Sequence, residues 1–276
     1  SVITVGKNAF SGCMNLKSVE YESGSLITKI EDNTFNGCRL LESLKLPLGV
    51  VEFGENAFLN CEKLGDATFL NVSFQVLGNY AFSGIKGLTN ITLDGTLESL
   101  GEGVFAGCPG LKKVSFVNGF KLTTIPKNTF YGATSLQSVI LPESVKVIED
   151  NAFNNCATLT SVSFGDGITK IGSASFKNTA LKIDLPKTCT VIGCDAFSGC
   201  NLKSVEVESL NGWEASGVFL ELESKYDLLY ALIKGASLTY TEPFVMDENG
   251  YITKVKANYS LYIIGQNVKG IVAGVF

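Results

Sequence analysis

Apolar and polar residues alternate in a long period along the chain. A phenylalanine preceded by a small residue stands at Phe10, Phe35, Phe58, Phe82, Phe105, Phe130, Phe153, Phe176 and Phe197, at intervals of 25, 23, 24, 23, 25, 23, 23 and 21 residues. With this Phe as position 0, position −5 is always apolar (Val5, Ile30, Phe53, Leu77, Leu100, Ile125, Ile148, Ile171, Ile192). Position −8 is apolar too, from Val2 and Ile27 through Ile168 to Cys189. Two places after the Phe stands Gly or Asn, as in Gly12, Asn60, Gly132 and Asn178, residues that tolerate left-handed backbone and so predict a turn. Leu follows at +6 in seven units, Leu16 to Leu159, and shifts to Leu181 and Leu202 in the last two. Then comes strict alternation: Val19/Tyr21, Leu44/Leu46, Ile91/Leu93, Val114/Phe116, Val139/Leu141 and Val162/Phe164, a period of two that predicts one short strand per unit. Pro47, Pro142 and Pro186 close three of these strands, where a missing N–H costs least.

A unit of about 23 residues with one strand and one turn cannot bury its apolar side alone, so neighbours must stack. The expectation is a solenoid whose strands form a parallel ladder over a core of Phe, Leu and Ile. At about 4.8 Å per stacked strand, nine units give a rod on the order of 40 Å long.

The pattern I-G-x-x-A-F-x-G-C-x-x-L-x-x-V-x-L-P, nearly whole across Ile148 to Leu159 and Leu136 to Pro142, resembles the BspA-type leucine-rich repeat of bacterial surface proteins. The resemblance spans residues 2–208. It implies an α/β, strand-rich leucine-rich-repeat solenoid: a right-handed superhelix with one short strand plus a turn or short helix per unit. It also implies a secreted or surface-attached protein, with adhesion among the family's roles, but it names no ligand, since such repeats are generic binding scaffolds.

Residues 1–208 are therefore read as a nine-unit array. The period breaks over 209–250, where Phe219, Leu222, Tyr226, Leu229 and Ile233 predict a short helix between Gly212 and Gly235. Asn249-Gly250, between Phe244–Met246 and Tyr251–Val255, predicts a hairpin. Residues 251–276 read as the start of a further repeat block, because Val268, Ile271, Val275 and Phe276 reproduce positions −8, −5, −1 and 0. With Val2 already at −8, the expectation is a piece of a longer array.

Composition narrows the chemistry. Net charge is −5 and Arg39 is the single arginine, which argues against nucleic acid as a partner. No apolar run reaches the length of a membrane span. The chain has no histidine, so His-dependent nucleophilic sites and imidazole metal ligands are excluded. Of eight cysteines, Cys13, Cys38, Cys61, Cys108, Cys156 and Cys200 share position +3 with Ile85, Ala133 and Thr179, a small core slot, and are read as reduced structural thiols. Adjacent rungs also satisfy the Cα spacing of a disulfide for Cys13 with Cys38 or Cys38 with Cys61, although in-register side chains point the same way. Cys189 sits in an always-apolar slot, whereas Cys194 occupies a slot of Lys, Asp and Glu and is expected to be an exposed thiol. Cys189, Cys194 and Cys200 lack the C-x-x-C spacing of zinc sites. Gly101-Glu102-Gly103-Val104-Phe105-Ala106 fits a loose dinucleotide pattern, but every position is already a repeat slot and no long helix follows. No cofactor, metal or catalytic residue is expected.

The candidate functional surface is the outward side of the strand ladder: Ser18, Glu20, Ser43, Lys45, Asp66, Thr68, Asn90, Thr92, Lys113, Ser115, Ser138, Ser161 and Ser163. Loop insertions fall at Ser23-Gly24 and at Asn118-Gly119-Phe120, with Phe120 a candidate exposed anchor. The function expected is a noncatalytic binding module, contacting a host or extracellular-matrix protein, another surface protein or a glycan. The alternatives are a structural spacer and an accessory glycan-binding module of a larger surface protein or enzyme.

Overall fold

The computed structural model describes residues 2–200 except 70, 71, 118, 166 and 183–187, together with five strands beyond residue 200. The array is a parallel-sheet solenoid, as the period predicts. Its front ladder stacks Ser18–Glu20 on Ser43–Lys45, then, after one interruption, Asn90–Leu93, Lys113–Phe116, Ser138–Ile140 and Ser161–Ser163, all parallel. In each strand the central Val, Leu or Ile turns inward and its neighbours turn out, as the alternation requires.

Every unit after the first also carries a second strand, which the sequence pattern did not resolve. Positions −6 and −5 pair in parallel from Lys29–Ile30 to Ser99–Leu100, and again from Thr124–Ile125 to Val191–Ile192. The apolar residue at −5 is thus the inward half of a two-residue strand. A third ladder runs along the turn that holds the Phe. There the N–H groups of Asn8, Phe10 and Gly12 donate to the carbonyls of Asp32, Thr34 and Asn36 at 3.0, 2.9 and 2.7 Å, and later units repeat this. The turn needs two left-handed residues per unit. One is the expected +2 position, as at Gly37 (φ 76°) and Asn155 (φ 60°). The other is −2, filled by Asn8, Asn33, Asn56, Asn128 and Asn151 at φ 54–61°. Asn bears this conformation at lower cost than other residues with a side chain.

Inside the three ladders stand the Phe residues. Phe35 through Phe197 are fully buried, and adjacent rings lie 5.2 to 5.9 Å apart. Most neighbours are parallel, but Phe82 tilts by 33° and 42° against Phe58 and Phe105. Phe53, Phe69 and Phe74 crowd it there, with ring centroids 5.1, 4.7 and 5.7 Å away.

The interruption of the front ladder lies in the same place. In the third unit, Asp66–Thr68 form a 3-10 turn instead of a strand. The slot that holds Val, Leu or Ile elsewhere holds Ala67, too short to reach the core and a poor strand former. Ala67 is exposed and Thr68 is buried, so the alternation is reversed. Asp66 and Thr68 are therefore not outward strand residues, contrary to expectation.

Among the described residues this turn is the only helical element. Beyond the array, Ser237–Tyr240 pairs antiparallel with Val191–Ile192 and with Trp213–Ser216. A strand at Trp213–Ser216 stands where the predicted helix was to begin; Phe219 to Ile233 lie outside the described residues. Phe244–Met246 pairs antiparallel with Tyr251–Val255, which pairs in parallel with Gly270–Ile271. Asn249-Gly250, Val268, Val275 and Phe276 lie outside the described residues.

Candidate ligand face

The front ladder places two columns of side chains in register. One runs Ser18, Ser43, then Asn90, Lys113, Ser138 and Ser161; the other runs Glu20, Lys45, then Thr92 and Ser115, and Ile140 beside Ser163. All are exposed except Ser115, which is half-buried. Parallel pairing brings like positions side by side, so the face is built from columns of hydroxyls with Lys45 and Lys113 set into them. Ile140, 73% exposed, is the large apolar residue of this face.

At the interruption Asp66 takes over the contact to the fourth unit. Its carboxylate accepts from the Thr89 and Asn90 backbone N–H groups at 2.6 and 3.1 Å, from Asn90 Nδ2 at 2.9 Å and from the Thr89 hydroxyl. The Asp66 carboxylate thus stands in for the backbone carbonyl that accepts the equivalent N–H groups on another rung, as Lys17 O does for Glu42 and Ser43. Partial burial pushes the Asp66 carboxyl up, but the hydrogen bonds outweigh it and hold it below its ordinary value. Asp66 thus closes the ladder and does not reach outward. Beside it lies a notch of about 170 Å³ lined by Leu44, Lys45, Pro47, Leu48, Thr68 and Val72, with Leu48 92% exposed.

Phe120 is not an exposed anchor. It is 7% exposed, and its ring meets Phe116 edge-on at 4.9 Å. The insertion folds back over the ladder because a large apolar ring gains more from that cover than from water. A wider hollow of about 730 Å³ opens at the first rung between Val5, Phe10, Val19, Tyr21 and Ile27. The Tyr21 hydroxyl is buried there with no partner among the described residues, and burial raises its pKa.

The cysteines at +3 have a definite structural task. Cys38, Cys61, Cys108, Cys156 and Cys200 each point Sγ at the carbonyl of the preceding unit's Phe, at 3.0 to 3.2 Å. The Phe10, Phe35 and Phe130 carbonyls are otherwise bonded within their own units, by the Cys13, Cys38 and Ala133 N–H groups at 3.0 to 3.1 Å, and there the weak S–H donor fills the second lone pair. Burial pushes Cys108, Cys156 and Cys189 up to about 12. These three, with Cys13, Cys38, Cys61 and Cys200, are free thiols. Cys13 departs from the expected burial: on the first rung it is exposed. Cys194 is exposed as its slot predicted.

Other cross-rung contacts were not read from the sequence. At −3, Asp32, Asn79 and Asp150 accept the backbone N–H of the next unit's −3 residue at 2.8 to 3.0 Å. At +4, Glu62 takes Lys86 at 2.6 Å and Arg39 at 3.8 Å. The recurring acids at −3 were the available signal for the first. Among the described residues, no three His, Cys, Asp or Glu side chains converge to hold a metal, and no helix is long and apolar enough to cross a membrane.

Comparison with known proteins places this architecture. The model of the BspA-type leucine-rich repeat region, in six copies, matches residues 3–121, 67–182, 117–219 and 180–268. A leucine-rich repeat protein of Bacteroides ovatus superposes with a TM-score of 0.68 at 26% identity, over 76% of this chain and 54% of its own length. The chain thus spans little more than half of that relative. The pneumococcal vaccine antigen PcpA shares the fold, with a TM-score of 0.51 at 21% identity over 75% of this chain and 60% of that one. A search of curated proteins finds no match.

Proposed function

The chain belongs to the BspA-type leucine-rich repeat family, and on that premise we propose that it is a noncatalytic binding module of a secreted or surface-attached protein. The observation that carries this reading is the front ladder: two exposed columns in register, rich in hydroxyls and studded with Lys45, Lys113 and Ile140. Hydroxyls and amides spaced by the rung repeat can hydrogen-bond an extended polypeptide or a glycan laid along the rod, and solenoids commonly use such faces. Lys45 and Lys113 add attraction for an acidic partner, and Ile140 adds an apolar contact near one end. An extracellular protein partner is the first choice, and the surface location rests on the family.

The test is saturable binding to an array of extracellular-matrix proteins and glycans. A variant with Lys45→Ala, Lys113→Ala and Ile140→Ser is run beside the native chain. Asp66 is left intact because it holds the ladder together. Binding lost in the variant, at an unchanged melting temperature, supports the face. Equal binding by both chains refutes it.

A further inference from the structure

The notch beside the interruption lies inside the array, between the second and third units, with the Ser18–Glu20 rung on one side and the fourth unit on the other. Two departures from the repeat meet there. Ala67 breaks the front strand of the third unit, and Leu48 and Val72 stand ten places before their Phe on adjacent units. In that slot Ser25, Gly95, Glu143, Asp166 and Lys187 are small or polar, and Phe120 is folded back on Phe116. Val72 is half-buried against the core, whereas Leu48 is 92% exposed. The walls also carry polar groups without partners. On regular rungs the N–H groups of Lys113 and Val117 donate to the carbonyls of Thr89 and Leu93. The equivalent carbonyls of the second unit, Glu42 and Leu46, accept from no N–H among the described residues, because the third unit leaves the ladder for its 3-10 turn. Lys45, on the same wall, is exposed and joins no ion pair among the described residues, while the Asp66 carboxylate is engaged by Thr89 and Asn90.

We propose that this notch is the anchor point of the ligand face: it seats one large apolar side chain of an extended polypeptide, whose adjoining carboxylate pairs with Lys45 and whose main-chain N–H donates to the Leu46 carbonyl. The inference rests on the reading of the front ladder as a binding face. Size selects the occupant. At about 170 Å³ the notch falls below the ~300–1,000 Å³ of a small-molecule site and takes a single side chain. Chemistry selects the class. An apolar seat, a main-chain acceptor and a free cation match what a peptide segment carries together: an apolar side chain, an N–H and an Asp or Glu. A neutral glycan brings hydroxyls but neither a large apolar side chain nor a carboxylate. Seating that side chain against Leu48 and Val72 takes apolar surface of both partners out of water. The open carbonyl beside the seat adds the main-chain bond by which extended peptides dock on sheet edges.

The test pans a phage-displayed library of random linear peptides on the whole chain and measures an enriched peptide by fluorescence anisotropy. The expected selection carries Leu, Ile, Met or Phe adjoining Asp or Glu. Leu48→Ser, which keeps the native melting temperature because Leu48 is exposed, weakens binding by about tenfold or more. Lys45→Ala weakens it about threefold, and added salt erases that difference. Ile140→Ser, farther along the ladder, leaves it unchanged. An empty selection, selected peptides without acidic residues, or equal binding by the native chain and Leu48→Ser overturns the proposal. The array of matrix proteins and glycans separates this inference from the wider reading. A partner lost on changing Lys113→Ala with Ile140→Ser but kept by Leu48→Ser leaves the ladder a binding face and refutes the notch; a partner kept by all these variants refutes both.

Discussion

Phe105→Ala tests the core most directly. Phe105 is fully buried, with Phe130 stacked 5.6 Å away on one side and Phe82 at 5.9 Å on the other. Truncation removes the ring from both neighbours and leaves a cavity that the hydrogen-bonded ladders on all sides cannot collapse. Buried Phe→Ala changes cost about 3–5 kcal/mol, of which each lost aromatic pair accounts for about 0.5–1.5 kcal/mol. For an array of this size, that lowers the melting temperature by roughly 6–20 °C. Phe10→Ala is the internal control, since Phe10 is only partly buried and has one ring neighbour, Phe35. Its cost should stay below about 2 kcal/mol, because less area leaves water and one face is already wet. Urea unfolding followed by far-UV circular dichroism measures both. An unchanged midpoint for Phe105→Ala, or equal losses in the two variants, would refute the reasoning that the ring stack is the core.

Asp66→Ala should destabilise by about 1 kcal/mol at neutral pH, the worth of a partly exposed charged acceptor. Because its folded pKa lies below its ordinary value, that stability is present above the unfolded pKa and lost as pH falls through the folded one, so native and variant melting curves should converge at low pH. Thiol labelling of the native chain should modify Cys13 and Cys194 first, with Cys108 and Cys156 reacting only as the array opens; equal rates would contradict their burial. Burial raises the thiols of Cys108, Cys156 and Cys189 from 9.0 to about 12, so the unfolded chain releases protons first. Stability should therefore hold below pH 9.0 and decline between there and about pH 12, and Cys108→Ala should flatten that decline in pH-dependent urea midpoints. Asn151→Val, forced into φ 56°, should cost about 1–2 kcal/mol by the same assay, and Asn151→Gly far less.

The frame of the fold was legible because every unit repeats the same few demands: a ring at 0, apolar residues at −5 and −8, alternation after +8. The second strand was not, because two residues are too short to show a period, and Ile30 or Ile148 reads equally as turn or strand. The left-handed position at −2 was written in Asn8, Asn33, Asn56, Asn128 and Asn151, but Tyr80, Ala174 and Asp195 blur it in other units. Ala67 was the visible reason for the broken ladder, yet one small residue in nine units does not announce that Thr68 turns in and Asp66 becomes a bridge. Phe120 was misread because a ring in a loop looks the same in sequence whether it faces water or folds back on Phe116. The outward, in-register places of Ser18, Ser43, Ser138 and Ser161 were legible from the alternation, whereas those of Asp66 and Thr68 depend on contacts a rung away.

The three ladders that close each unit against the next also set how the rod bears load. Their bonds, such as Phe35 N to Ala57 O at 2.9 Å and Gly54 N to Ile30 O at 2.8 Å, lie along the axis of stacking, not across it. A pull applied between the two ends therefore opens one rung at a time, as a zipper does, and never has to shear a whole sheet. Each rung that peels away frees about 23 residues, on the order of 80 Å of extended chain, where about 5 Å of folded rod had been. Pulled between its two ends, such an array lengthens in steps of one unit, each step far longer than the rung it undoes.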